Sequence, residues 1–119
     1  MKVLVCGGRD YNDVDTLFRI LDEYIINGKT MIKTIISGHA KGADQMAEMY
    51  AQEMGIKTEV YPANWNRYGK KAGYLRNVQM AEEGKPDLII AFPGGKGTAM
   101  MIKIGKERGI NVMEIGEEI

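Results

Sequence analysis

The sequence predicts an α/β protein, a doubly wound sheet of about five mostly parallel strands flanked by helices with right-handed crossovers. Three observations carry that expectation. Strand-length apolar runs recur over residues 2–6, 31–36, 57–61, 88–91 and 110–115. Segments with apolar residues at helical spacing separate them. Three of the runs end in small flexible residues, Gly7-Gly8, Ser37-Gly38 and Gly94-Gly95, each followed by a helix start. In a parallel sheet such turns share the carboxyl edge, where open α/β sheets bind ligands.

Taken in order, residues 2–6 read as a short buried strand stopping at Gly7-Gly8. Asp13 is the expected N-cap of a helix with Val14, Leu17, Phe18, Leu21, Tyr24 and Ile25 on one face, ended by Asn27-Gly28. Residues 31–36 form the second strand and run into SGHAKGAD. A helix over 43–54 shows Ala43, Met46, Ala47, Tyr50 and Met54 at helical spacing, and Gly55 stops it. After the third strand Pro62 closes the run, and NWNRYGKK (64–71), polar, aromatic and basic without periodicity, reads as a loop. A helix follows over 72–83, and Gly84, Lys85 and Pro86 break the chain before what reads as the central strand, 88–91. A last helix ends near Arg108-Gly109 ahead of the fifth strand.

The chain of 119 residues suits one domain, 1–119, with a single core. Sixteen Lys and Arg balance sixteen Asp and Glu, so no global basic field recruits nucleic acid. One cysteine, Cys6, allows no internal disulfide and fits a reducing compartment; its place at a strand end suits a small buried hydrophobe. Met1 leads straight into a strand, and no segment reaches the ~18 apolar residues of a membrane helix. A soluble cytoplasmic protein with no membrane partner is the expectation. His39, the single histidine, has no second His or Cys at ligand spacing, so no metal site is expected and His39 reads as a loop residue.

The densest candidate site is FPGGKGTAM, 92–100. Glycines between a strand and a helix let backbone approach a ligand, and the helix N-terminus offers unpaired N–H groups that suit a phosphate. Thr98 caps that helix, donates to the ligand, or does both. Arg9 either clamps a phosphate bidentately or pairs with Asp10 or Asp13. Asp44 either accepts from ribose hydroxyls or holds its loop. Trp65, the one tryptophan, either stacks on a base, closes the site, or anchors its own loop. The nine methionines read as core or as a subunit contact.

Five blocks in order, GGRDY (7–11), SGHAKGAD (37–44), PANW (62–65), AGYLRN (72–77) and FPGGKGTAM (92–100), make the chain resemble the YspA/YpsA-related branch of the SLOG superfamily, the group containing the Lonely Guy (LOG) proteins and the DNA-processing protein DprA. The resemblance implies a Rossmann-like sheet and a site for a nucleotide or nucleotide-derived ligand, with no further cofactor. Gly7, Gly8 and Arg9 would line one side, Ser37, Gly38, Gly42 and Asp44 the middle, and Pro93, Gly94, Gly95, Gly97 and Thr98 the phosphate, with Trp65, Arg76 and Asn77 around it. LOG enzymes, which cleave the N-glycosidic bond of nucleoside monophosphates, are similar in a PGGxGTxxE motif and in an arginine one helix earlier. Arg76 stands at that arginine, but Met101 stands where the glutamate belongs. That departure favours a sensor or sequestering role over hydrolysis. If the chain hydrolyses, Arg76 and Asp44 are the catalytic candidates, with Glu48 and Asp10 as other carboxylates. DNA binding after DprA is the weakest of the three implied functions. LOG proteins assemble through helices flanking the site, and Met100, Met101 and Ile104 around a short helix would leave apolar surface. Both points imply a homodimer or larger assembly.

Overall fold

The computed structural model describes residues 1–26 and 32–116. Five strands, β1 (Lys2–Cys6), β2 (Thr34–Ser37), β3 (Lys57–Val60), β4 (Leu88–Ala91) and β5 (Asn111–Glu114), form one sheet in the order β3-β2-β1-β4-β5, every pair parallel. The helices are α1 (Val14–Ile26), α2 (Ala43–Met54), α3 (Trp65–Tyr68), α4 (Ala72–Gln79) and α5 (Lys96–Glu107). The stretch that reads as the central strand is β4, one place off centre. β1 is the middle strand, with β2 on one side and β4 on the other. The expected α1 stop at Asn27-Gly28 and the start of the 31–36 run at Met31 lie outside the described residues.

Strand periodicity of two splits the core cleanly. Val3, Val5, Ile35, Ile90 and Phe92 face α1 and α2, meeting Leu17, Ile20, Leu21, Ala47, Tyr50 and Ala51. Leu4, Cys6, Ile36, Ile89 and Ala91 face the other way, onto Met80, Ala81, Met101 and Ile104. A single-residue shift in any inner strand would exchange these two sets, so register is strongly specified.

Asp13 caps α1 as expected, its carboxylate accepting from the Thr16 N–H at 3.1 Å and the Thr16 hydroxyl at 2.6 Å. Gly55 ends α2 in the left-handed conformation at φ 69°, which a residue with a Cβ rarely adopts. Three expectations need correction. NWNRYGKK is not loop: Asn64 Oδ1 accepts from the Arg67 N–H at 3.1 Å and sets a one-turn helix, α3, followed by a 3₁₀ turn over Gly69–Lys71. One turn is too short to show an apolar period. The expected 72–83 helix is α up to Gln79 and a π-helical turn over Met80–Gly84. Met54 does not pack inward but is 48% exposed, while Met101 and Ile104 are core. The surface argument for self-association from those two residues therefore falls.

Among the described residues no helix is long and apolar enough to cross a membrane.

Candidate functional site

With order β3-β2-β1-β4-β5 the chain reverses its winding direction between β1 and β4, and the loops leaving those strands diverge around a crevice. The two loops touch beneath it: the Gly8 N–H donates to the Pro93 carbonyl at 2.9 Å. A Cβ on Gly8 would lie 3.0 Å from the Gly94 Cα, and one on Gly94 would lie 2.6 Å from the Gly8 nitrogen. Those glycines are therefore demanded by the protein itself. Gly7 is likewise packed, its position for a Cβ being 2.6 Å from the Ala43 Cβ.

Gly95 and Gly97 differ. A Cβ at either would meet nothing within 4 Å, and neither has the positive φ that favours glycine. Both line a cleft of about 910 Å³ over the start of α5. There the first-turn N–H groups of Lys96, Gly97 and Thr98 lack intrahelical acceptors, and the helix dipole presents its positive end. Thr98 is buried at the third helical position, not at the cap, because the helix begins at Lys96 with Gly95 as its cap.

Gly7, Gly8, Arg9, Asp44, Trp65, Arg76, Asn77, Pro93, Gly94, Gly95, Gly97 and Thr98 all border this cleft. Ser37, Gly38 and Gly42 do not; they build the wall behind it. Ser37 is fully buried, donating to Glu48 Oε2 at 2.8 Å and accepting from the His39 N–H at 3.1 Å. Gly42, at φ 84°, lets α2 start against the Gly8 carbonyl, which accepts from the Ala43 N–H at 3.4 Å. The Gly38 carbonyl accepts from Arg76 Nη1.

Arg76 crosses from α4 to that wall, and its Nε donates to Asn77 Oδ1 at 2.9 Å. Buried Asn77 in turn donates from Nδ2 to the Gly97 carbonyl at 3.3 Å, tying α4 to the first turn of α5. Arg76 is thus held in place by two of its three nitrogens, and among the described residues Nη2 meets no protein acceptor. Burial lowers its pKa, with the Asp44 charge opposing. Asp44 is 5% exposed, and Oδ2 accepts from the Ala40 N–H at 3.2 Å, so it does hold its loop. Burial pushes its pKa up to about 6, against the pull of the Ala40 N–H and Arg76. Asp10 borders the cleft, whereas Glu48 is spent on Ser37 and on His39 Nδ1 at 3.0 Å. Burial also raises the Cys6 thiol pKa far above its ordinary value.

Among the described residues Arg9 makes no ion pair with Asp10 or Asp13; its guanidinium carbon sits 5.9 Å from the centroid of the Trp65 ring. Lys70, Lys96, Tyr11 and Gly73 also border the cleft and escaped the sequence reading. Lys96 was signalled by its place inside the glycine turn, and Lys70 by the basic 64–71 stretch. Arg9, Lys70, Arg76 and Lys96 stand against Asp10, Asp13 and Asp44, and Asp13 is committed to the α1 cap. Four basic against three acidic groups leave one positive charge in excess at the cleft. Among the described residues no group of His, Cys, Asp and Glu could hold a metal ion.

The model of the YspA, cpYpsA-related SLOG family matches residues 1–68. Gene 61 protein of Mycobacterium phage D29 is 32% identical over 124 residues, an alignment covering 98% of each chain. The X-ray structure of DNA processing protein A (DprA) from Streptococcus pneumoniae superposes at a TM-score of 0.73 over 99% of this chain, with 21% identity. That likeness is one of fold, and this chain spans 51% of that protein's length. Arg76 and the 93–98 turn lie beyond the family-matched segment.

Proposed function

We propose that this chain, which belongs to the YspA, cpYpsA-related SLOG family, binds a nucleotide or nucleotide-derived ligand in the cleft and holds it without cutting it, as a sensor or sequestering protein. The phosphate occupies the N-terminus of α5. The observation that carries this reading is the contrast among the glycines: Gly7, Gly8 and Gly94 are filled by the protein, while Gly95 and Gly97 leave open space beside free helix N–H groups. Open space there lets an anion approach backbone donors closely. Arg76 Nη2 and Lys96 supply charge-assisted contacts.

Retention without cleavage follows from Met101. Its side chain, 1% exposed, borders the cleft and offers a thioether where the LOG-type motif has a carboxylate, so it can neither polarise a water nor steady a developing cation. One observation favours a second reading, hydrolysis: Asp44, with a pKa pushed up to about 6, borders the cleft beside Arg76 and suits a general acid. The name of the solved neighbour refers to DNA, but a net charge of 0 gives this chain no global basic field to draw in a polyanion. Isothermal calorimetry with AMP tests the proposal. Binding that survives in wild type and weakens at least tenfold in Gly97→Ala is expected. Equal affinity for both removes the α5 terminus from the site.

A further inference from the structure

We infer that Trp65 is the platform on which the base of the bound nucleotide stacks, with Arg9 as a movable cover. The inference rests on the reading of the cleft as a nucleotide site. Trp65 opens α3, is 49% exposed and borders the cleft. What sets it apart from other exposed apolar side chains is its place on the cleft rim, where an aromatic face can meet a flat ligand moiety. Its edge lies over Gly73 of α4, where a Cβ would fall 3.3 Å from the indole Cη2. A Cβ at that position would press on the ring edge and shift it by a few tenths of an ångström.

The indole is therefore seated at its edge and open over its face. Among the described residues that face carries the guanidinium of exposed Arg9, at 5.9 Å from the centroid, near the outer limit of ~6 Å for an attractive cation–ring contact. An exposed arginine held so loosely is readily displaced or lifted to lie over an inserted base. Bases stack on aromatic faces irrespective of their hydrogen-bonding pattern, so the platform selects for an aromatic ligand moiety and tolerates different bases.

Trp65 is the single tryptophan, so its emission reports this face alone. The experiment titrates the protein with AMP, GMP, CMP and UMP, and separately with ribose 5-phosphate, following emission and calorimetric heat. Nucleotides are expected to quench Trp65, and ribose 5-phosphate to bind with little change in emission. Trp65→Ala is expected to weaken nucleotides by about 5- to 150-fold, the factor that ~1–3 kcal/mol of base–aromatic stacking represents, and to leave ribose 5-phosphate unaltered. Trp65→Phe should retain most of the affinity. Nucleotide affinity unchanged in Trp65→Ala, or lost equally with that for ribose 5-phosphate, overturns the platform while leaving the phosphate site standing. Failure of every nucleotide and of ribose 5-phosphate to bind wild type overturns both.

Discussion

Replacing Gly97 by alanine should move stability and binding in opposite directions. Gly97 is the second residue of α5, and a Cβ there meets nothing within 4 Å. Its carbonyl, which accepts from Asn77, is unchanged by the substitution. Alanine restricts the unfolded chain and suits a helix better, worth ~0.5–1 kcal/mol at a position without strain. For a chain of this size that is a rise in Tm of roughly 2–6 °C. In a helix the Cα–Cβ bond tilts toward the N-terminus, so the new methyl points at the place proposed for the phosphate. Loss of one charge-assisted hydrogen bond, ~1.5–3 kcal/mol, weakens an anionic ligand by about ten- to more than a hundredfold. Thermal melts of wild type and variant, with and without AMP, read both effects at once. A variant that melts higher and binds AMP as tightly as wild type refutes the ligand assignment. A variant that melts lower refutes the claim that the site is open.

Other changes test the remaining parts. Arg76→Ala should weaken nucleotide binding roughly ten- to a hundredfold in calorimetry, and also lower Tm, because the Gly38 carbonyl and Asn77 lose a donor. Arg76→Lys should restore some binding but not the hold on both partners. Asp44 is raised from 3.8 to about 6 in the folded chain, so the folded state binds more protons than the unfolded one between those values. Stability should therefore fall as pH rises through that window, by at most about 3 kcal/mol from this group, and Asp44→Asn should flatten the slope in denaturant titrations. Met101→Glu buries a carboxylate among Leu4, Ile89 and Ile104 and should destabilise by on the order of 3 kcal/mol or more, visible as an early melt.

Much of the sheet was legible because its inner strands are short apolar runs between glycines, and because Gly55 and Asp13 punctuate helices by mechanisms that read directly from sequence. α3 was not: a single turn set by one Asn64 hydrogen bond leaves no period to find. Strand order also escaped. The chain alone could not say that β4 pairs with β1 and that β1 takes the centre, since that is decided by crossovers and packing on both faces.

At the site, glycine positions were visible but their reasons were not. Sequence marks Gly8, Gly94, Gly95 and Gly97 alike, whereas the fold spends the first two on contact between loops and leaves the others open. Ser37 and Gly42 looked like ligand residues because they share a turn with Asp44. They do not border the cleft: the Ser37 hydroxyl is buried against Glu48, and Gly42 starts α2 at the Gly8 carbonyl, which shapes the wall behind it. The apolar pattern around Met101 is ambiguous between surface and core in the sequence, because what buries it is α5 lying on β4 and β5, with Gly105 closing on Ile89 and Val112.

The claim at the centre of this account is that the cleft holds a nucleotide intact. Equilibrium dialysis of the protein against radiolabelled AMP, with the bound fraction released and resolved by chromatography, measures it directly. The account predicts retained label that elutes as AMP after prolonged incubation. Label eluting as free adenine, or no retention above that of Gly97→Ala, contradicts it.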